Sequence, residues 1–463
     1  MNESMKNDLQ AFPEVLATAK AYADEFLAGL EARPVIADAA NLELHGCLPE
    51  RGSGAKAAIA HFREHYDALL SASAGPRYLG FVTGGSTPAA LAGDWLASAF
   101  DQNAQLNNDT IAPYLEEQAL AWLGELLGFS HQHTGICVTG ATMANFTGLA
   151  IARQWLGEQQ GVDIARAGLN ALPPVRVLSG AAHSSIGKAL AMLGIGADAI
   201  EAIPRLPGRE AVDVNALAKR LGELQEQPVI VVANAGIVNT GDFDDLEAIA
   251  ELKREHAFWL HADGAFGAFA GASERFRHLT AGIEKADSVT VDGHKWMNVP
   301  YDGAYLFTRH LDSQLQVFRN TSPYLPSPVR DAKNVLHLGP ENSRRWRALP
   351  LWFALQAYGR DGVREMVERS CDMAAKLAAG IEALQDYVLL APVRLNIACF
   401  TFADAATPER IKALQQYLAS ENAAYMSPTV HDGKPALRAA FCNWRTETRH
   451  VEKMLAALRE FVD

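Results

Sequence analysis

The stretch SVTVDGHKWMNVPYDGAYLF, residues 288–307, places Lys295 at the end of one apolar strand and just before another. A buried ammonium without a partner is costly unless its pKa falls or the amine is chemically occupied. A surface lysine is the ordinary alternative, and three further clusters bear on the choice. In ICVTGATMANFTGLAIARQWL, a strand runs into Gly140, Ala141 and Thr142 and a helix begins at once. Free backbone N–H groups at a helix start form a cradle for an anion, or simply a capped helix. No GKS or GKT follows, so a nucleotide P-loop is not supported. In WLHADGAFGAF, Asp263 closes an apolar strand and small residues leave space after it. That carboxylate either caps a helix or needs a cation or several donors. His261, two residues earlier, reads as structural. In LSGAAHSSIGKAL, His183 stands between a strand and a helix.

Taken together, these residues offer an anion cradle, a flat ring, a buried carboxylate and a lysine. Pyridoxal phosphate has a phosphate, a ring to stack, a pyridine nitrogen and an aldehyde to match them. On this reading Lys295 is stored as a Schiff base with the aldehyde, so its burial carries no free charge. Desolvation and nearby cations would keep the amine nucleophilic during exchange.

The elements that must position these groups follow from apolar runs at residues 136–138, 175–178, 229–233, 258–262, 288–291 and 304–308. They alternate with helical stretches, which predicts a mostly parallel sheet covered on both faces, with its ligand at the strands' carboxyl ends. Residues 8–30 and 54–70 are expected to be helical, and SASAGPRYLGFVTGGSTP after them reads as loop. Ile111, Leu115, Ala119, Trp122 and Leu126 have the spacing of an amphipathic helix that ends at Gly128. NTSPYLPSPVRDAKN carries three prolines and no periodicity, so it reads as an exposed loop. A long helix is expected from near Ser343 towards Tyr358, and an amphipathic helix over residues 446–461 closes the chain.

A chain of 463 residues suits two or three domains. Its net charge of −13 argues against a sequence-independent grip on nucleic acid or anionic membrane. The five cysteines, Cys47, Cys137, Cys371, Cys399 and Cys442, are scattered without a CxxC pair. That pattern suits a reducing cytoplasm and opposes a zinc site or disulfide frame. There is no apolar run of membrane-spanning length and no apolar signal core at the start.

In order and spacing, the pieces GPRYLGFVTGG, VTGATMAN, AAHSSIGKA, NAGIVNTGDFDDL, WLHADGAFGAF, DGHKWMNVPYDGAYLF, ENSRRWRALPLW and FCNWRT resemble the group II pyridoxal-phosphate decarboxylases. That family includes the aromatic-amino-acid, histidine, glutamate and 2,4-diaminobutyrate decarboxylases. The resemblance implies an α/β protein of fold type I. A large cofactor-binding domain, residues 87–349, would hold a mostly parallel seven-stranded sheet. An N-terminal helical dimerisation segment, residues 1–86, and a small α+β domain, residues 350–463, would flank it. It further implies that Lys295 holds pyridoxal phosphate and Asp263 pairs with the pyridine nitrogen. His183 would stack on the ring and Ala265 would pack beneath it. Gly140, Ala141, Thr142 and His294 would hold the phosphate, with Asp292 close by. Tyr324 matches a loop tyrosine that these enzymes use as proton donor, and Phe81, Thr83 and Ser343 fall where substrate is met. A homodimer with its site at the interface is implied, with no metal. Val238 stands where many members carry Thr, Asp292 where the aromatic group has Asn, and FVTGGSTP departs from the animal aromatic enzymes' substrate wall.

The expected activity is decarboxylation of an L-amino acid, aromatic first, to the amine and CO2. The alternatives are another enzyme on the same cofactor (aminotransferase, aldolase or oxidative aldehyde-forming enzyme) and a non-catalytic homologue that binds it.

Overall fold

The alternation of apolar runs with helices produces two sheets. The computed structural model describes residues 1–37, 48–105, 110–320, 331 and 333–462. In chain order the strands are β1 (Tyr78–Leu79), β2 (Thr134–Val138), β3 (Arg176–Ser179), β4 (Ile200–Ala202), β5 (Val229–Asn234), β6 (Trp259–Asp263), β7 (Ser288–Asp292), β8 (Ala304–Thr308), β9 (Tyr387–Leu389), β10 (Ile397–Phe402), β11 (Tyr425–His431) and β12 (Lys434–Ala440). The large sheet has seven strands in the order β2-β8-β7-β6-β5-β3-β4. The pairs β4–β3, β3–β5, β5–β6 and β6–β7 are parallel, and β8 alone runs against both of its neighbours. Every residue of β5, β6, β7 and β8 is buried, the pattern of a sheet covered on both faces. The short edge strand β4 has no apolar run to announce it.

One face is covered by the helices Ala141–Glu158 and Ser184–Met192, which pack Leu149, Ile151, Ile186 and Leu190 onto Ile136, Val177, Ile230 and Trp259. The other face is covered by the helix Ala112–Leu127, which ends at Gly128 in the left-handed region, and by the first part of the helix Ala348–Glu382. Burying each large aliphatic or aromatic side chain here stabilises the fold by about 1.5–3 kcal/mol. The small sheet, β1-β11-β12-β10-β9, buries Leu79, Phe400, Met426 and Leu437 against the helices Pro408–Ser420 and Thr448–Val462. Its edge strand β1 pairs in parallel with β11, which ties the N-terminal segment to the C-terminal sheet.

The N-terminal stretches form the helices Glu3–Gln10, Phe12–Ala28 and Ala55–Tyr66. The long helix differs from its expected span. It begins at Ala348, because Arg344 and Arg347 first turn inward to the carboxylates of Glu116, Glu341 and Asp302. It then passes Tyr358 and reaches Glu382, serving both sheets. The expected boundary at residues 349/350 falls in its first turn. Among the described residues no helix is long and apolar enough to cross a membrane.

The long helix kinks at Gly359, whose φ of 58° and ψ of −165° lie where essentially only glycine is found. No atom lies within 4 Å of a Cβ added there, so strain rather than collision is the cost. Gly359→Ala is expected to lower unfolding stability by about 1–3 kcal/mol, read from the urea midpoint. An unchanged midpoint would show that the kink relaxes freely.

Candidate active site

The carboxyl ends of β3, β5, β6 and β7, together with the helix that follows β2, surround one cavity of about 570 Å³. Gly140, Ala141, Thr142, His183, Asp263, Ala265, Asp292, His294 and Lys295 all line it. Strand geometry explains the convergence. Asp263 pairs in register with Asn234 on one side and Thr290 on the other, so β5 and β6 end together and β7 runs two residues further to Asp292 at the same edge.

Lys295 lies in the short turn Gly293–Trp296 after β7. Its Nζ is 3.5 Å from Asp292 Oδ2 and 5.8 Å from the centroid of the Phe266 ring. The lysine backbone is fixed from outside. Gly84 N–H donates to His294 O, and a Cβ at Gly84 would come within 1.8 Å of Lys295 O. Gly84 therefore lets the loop after β1 close against the lysine turn. Asp292 Oδ1 and His294 Nδ1 are 2.9 Å apart, yet both are buried without a well-aligned hydrogen bond.

Asp263 is 7 % exposed, and its charge is met by hydrogen bonds. Oδ1 accepts from Ala265 N–H and Oδ2 from Asn145 Nδ2, both at 3.2 Å. His183 caps the helix Ser184–Met192 and its outer face is open to the cavity. The surrounding protein pushes its pKa below the ordinary histidine value. The charge of Asp263 opposes that fall and the charge of Lys295 adds to it.

The other sequence candidates divide. Thr83 is buried, 3.1 Å from Tyr301 Oη, and the Tyr301 ring lies against His294 with centroids 4.3 Å apart. Phe81 is exposed beside Tyr425, and Ser343 is exposed. Neither lines the cavity of the single chain. Tyr324 lies outside the described residues. Val238 is a cavity wall, its backbone O accepting from Arg438 Nη1 at 2.7 Å.

Among the wall and support residues that sequence reasoning did not find are Asn145, Ser185, Glu210, Tyr301 and Arg438. A signal existed for two of them. Asn145 is a polar residue inside an apolar helix, and Arg438 is a charge inside an apolar strand. Glu210 is buried and accepts from Thr240 Oγ1 at 2.7 Å and from Asn239 Nδ2 at 3.2 Å.

The donor set suits pyridoxal phosphate. Gly140 opens the helix Ala141–Glu158, and a Cβ there would meet only His294 Cε1 at 4.0 Å, which leaves room for a phosphate over the helix start. Asp292 and His294 line the same cavity, with His294 Cε1 nearest the helix start. Asp263 and Lys295 supply the carboxylate and the amine.

The model of the pyridoxal-dependent decarboxylase conserved domain matches residues 49–403. An aromatic-L-amino-acid decarboxylase of Bacillus atrophaeus is 29% identical over 432 residues, covering 90% of this chain and 87% of the relative. An L-2,4-diaminobutyrate decarboxylase of Rhizobium meliloti is 28% identical over 423 residues, covering 89% and 83%. Among solved structures, an Oryza sativa TDC with PLP and tryptamine superposes with a TM-score of 0.88 at 23% identity, covering 98% of this chain and 99% of that one. This chain belongs to the pyridoxal-dependent decarboxylase family and is an enzyme that decarboxylates amino acids with pyridoxal phosphate as cofactor.

His261, behind Asp263 on β6, is fully buried, and burial pushes its pKa down to about 4. Unfolding restores it to about 6.5. Between those values the unfolded chain binds the extra proton, so stability present above pH ~6.5 is lost as pH falls towards ~4. This group alone accounts for on the order of 3 kcal/mol. The urea midpoint of the parent is expected to fall more steeply across that window than that of His261→Gln. Parallel curves would show that His261 does not titrate on unfolding.

Proposed function

We propose that this enzyme acts on an aromatic L-amino acid, with Lys295, Asp263, His183 and Tyr324 as its working side chains, and that it does so as a homodimer in the cytoplasm. The observation that carries the reading is the convergence of Lys295, Asp263 and His183 on one cavity beside an open helix start. The aromatic preference is supported by the Bacillus atrophaeus relative, which spans nine-tenths of this chain, and by an L-tyrosine/L-DOPA decarboxylase of Lophophora williamsii that is 24% identical over 419 residues.

When bound, the cofactor supplies an aldehyde for the substrate amine and a sink for the electrons left as CO2 departs. Lys295 Nζ is the amine that would hold the cofactor through its aldehyde. The N–H groups at Gly140–Thr142, with His294, would hold the phosphate. The Asp263 carboxylate would hold a proton at the ring nitrogen and so stabilise charge as it develops. Arg438 has no carboxylate within 4 Å among the described residues, and it suits the carboxylate that every amino-acid substrate carries. Tyr324 is assigned by sequence resemblance as the general acid that protonates Cα.

Dimerisation is supported by the helices Glu3–Gln10 and Phe12–Ala28. Neither buries a residue in the single chain, and Met5, Leu9, Phe12 and Leu16 are all exposed. The four described cysteines are buried and free, as suits a reducing compartment.

CO2 release measured with the twenty amino acids, diaminobutyrate and dopa tests the substrate. The highest kcat/KM is expected for an aromatic substrate, and a higher value for diaminobutyrate or another non-aromatic one would overturn the preference. Tyr324→Phe tests the proton donor and separates decarboxylation from aldehyde formation. It is expected to release CO2 but protonate Cα slowly, so that oxygen diverts substrate to aldehyde and ammonia under air and not under nitrogen. Amine formed at the parent rate with no aldehyde would remove Tyr324 from the mechanism.

A further inference from the structure

Asn145 sits inside the helix Ala141–Glu158, fully buried, where asparagine is a weak helix former and an apolar residue would pack. Its side chain uses all four of its hydrogen-bonding positions. Nδ2 donates to Asp263 Oδ2 at 3.2 Å and to Ser185 Oγ at 3.0 Å. Oδ1 accepts from Thr290 Oγ1 at 2.6 Å and from His261 Nε2 at 2.9 Å. The opposite orientation of the amide would press Oδ1 against the Asp263 carboxylate, so the donors fix which way it faces.

The directions of the remaining bonds then follow. Oδ1 can only accept, so His261 Nε2 carries a proton. Burial keeps His261 neutral, which leaves Nδ1 bare to accept from Ser288 Oγ at 2.7 Å. Ser288 Oγ in turn accepts from Trp259 Nε1 at 2.9 Å. On the other side Ser185 Oγ accepts from Asn145, so its O–H turns to His183 Nδ1 at 2.7 Å. Ser185 N–H points at the same nitrogen at 3.3 Å. Two donors on one ring nitrogen require it to be unprotonated, so a neutral His183 carries its single proton on Nε2.

We infer that Asn145 is a positioning residue that sets two features of the site at once: it holds the Asp263 carboxylate in place and, through Ser185, fixes His183 as the Nε2–H tautomer. His261, Ser288, Trp259 and Thr290 orient the amide from behind. The inference rests on Asp263 and His183 working on the cofactor as proposed above.

The test begins in the apoprotein, where no substrate is involved. With 15N-labelled histidine, the His183 ring, identified by the signals lost in His183→Gln, is expected to show a bare Nδ1 and a protonated Nε2. In Asn145→Leu a population with protonated Nδ1 is expected to appear. Ser185→Ala cuts only the branch to His183 and is expected to do the same, which keeps the test available if the leucine variant folds poorly. Titration of apoprotein with pyridoxal phosphate is expected to show weaker binding by Asn145→Leu. In the loaded enzyme, Asn145→Leu and His261→Leu are expected to lower kcat about ten- to a hundredfold with KM little changed. His261→Gln keeps a donor for Asn145 Oδ1 and is expected to lose less than His261→Leu. A parent His183 protonated on Nδ1, or a tautomer unmoved in both Asn145→Leu and Ser185→Ala, overturns the inference. So does a fall in melting temperature with unchanged cofactor affinity and kcat. A non-aromatic result in the substrate panel would leave it standing.

Discussion

A carboxylate at the end of a buried central strand is the constraint around which this molecule is arranged. Asp263 has lost most of its water, and an ionised carboxylate in such a place is stable only where donors or cations face it. The protein supplies a backbone N–H two residues on and an amide N–H from the helix after β2. Both donors are rigid, because one belongs to the turn that leaves β6 and the other to a helix packed on the sheet. Oδ2 is held at a fixed angle while the carboxylate still faces the cavity. The direction in which the carboxylate meets the cavity follows from these two donors.

The remaining site groups are placed by the same sheet edge. β5 and β6 end in register and β7 runs two residues further, so Asn234, Asp263 and Asp292 all reach the cavity from one edge of the sheet. Lys295 stands three residues beyond Asp292 and is fixed by the loop after β1, which closes on it at Gly84. That loop is continuous with a strand of the small sheet, and Arg438 enters the cavity from β12 of the same sheet. The small sheet therefore helps to shape the site, and the kinked helix Ala348–Glu382 links it to the large one. A shift between the two sheets would move Arg438 and the Gly84 loop relative to Asp263, which connects packing far from the cavity to its chemistry.

Much of this could be read from the chain. The six apolar runs are strands, and the helix ending at Gly128 does end there, because a long apolar run and a left-handed glycine cap are local signals. The cavity residues Lys295, Asp263 and His183 were legible because each breaks an apolar pattern at a strand end. What escaped the sequence was set by tertiary contact. β4 and β1 are too short to carry a periodicity and exist because a neighbour offers a free edge. The start of the long helix depends on Arg344 and Arg347 finding Glu116 and Asp302, which are distant in sequence, and its continuation past Tyr358 depends on packing against β9 and β10 of the small sheet. Glu210 and Tyr301 have no local mark at all, since the burial of the one and the ring contact of the other with His294 are decided by elements elsewhere in the chain.

His261 shows most clearly where sequence reasoning stops. On its strand it reads as a structural histidine, and in one sense it is: it is buried, neutral and out of contact with the cavity. Yet its one N–H is directed at the amide that holds Asp263, and that direction matters to chemistry two residues away. The distinction between a structural and a functional residue fails here for a physical reason. In a dry interior every hydrogen bond has a fixed sense, because a donor facing a donor leaves a polar group unsatisfied. A chain of such bonds transmits that sense from Trp259, whose N–H can only donate, to His183, whose Nδ1 can then only accept. The indole thus constrains the protonation of a ring on the cavity wall without touching it, and the buried polar side chains behind the sheet belong to the active site as much as those that line it.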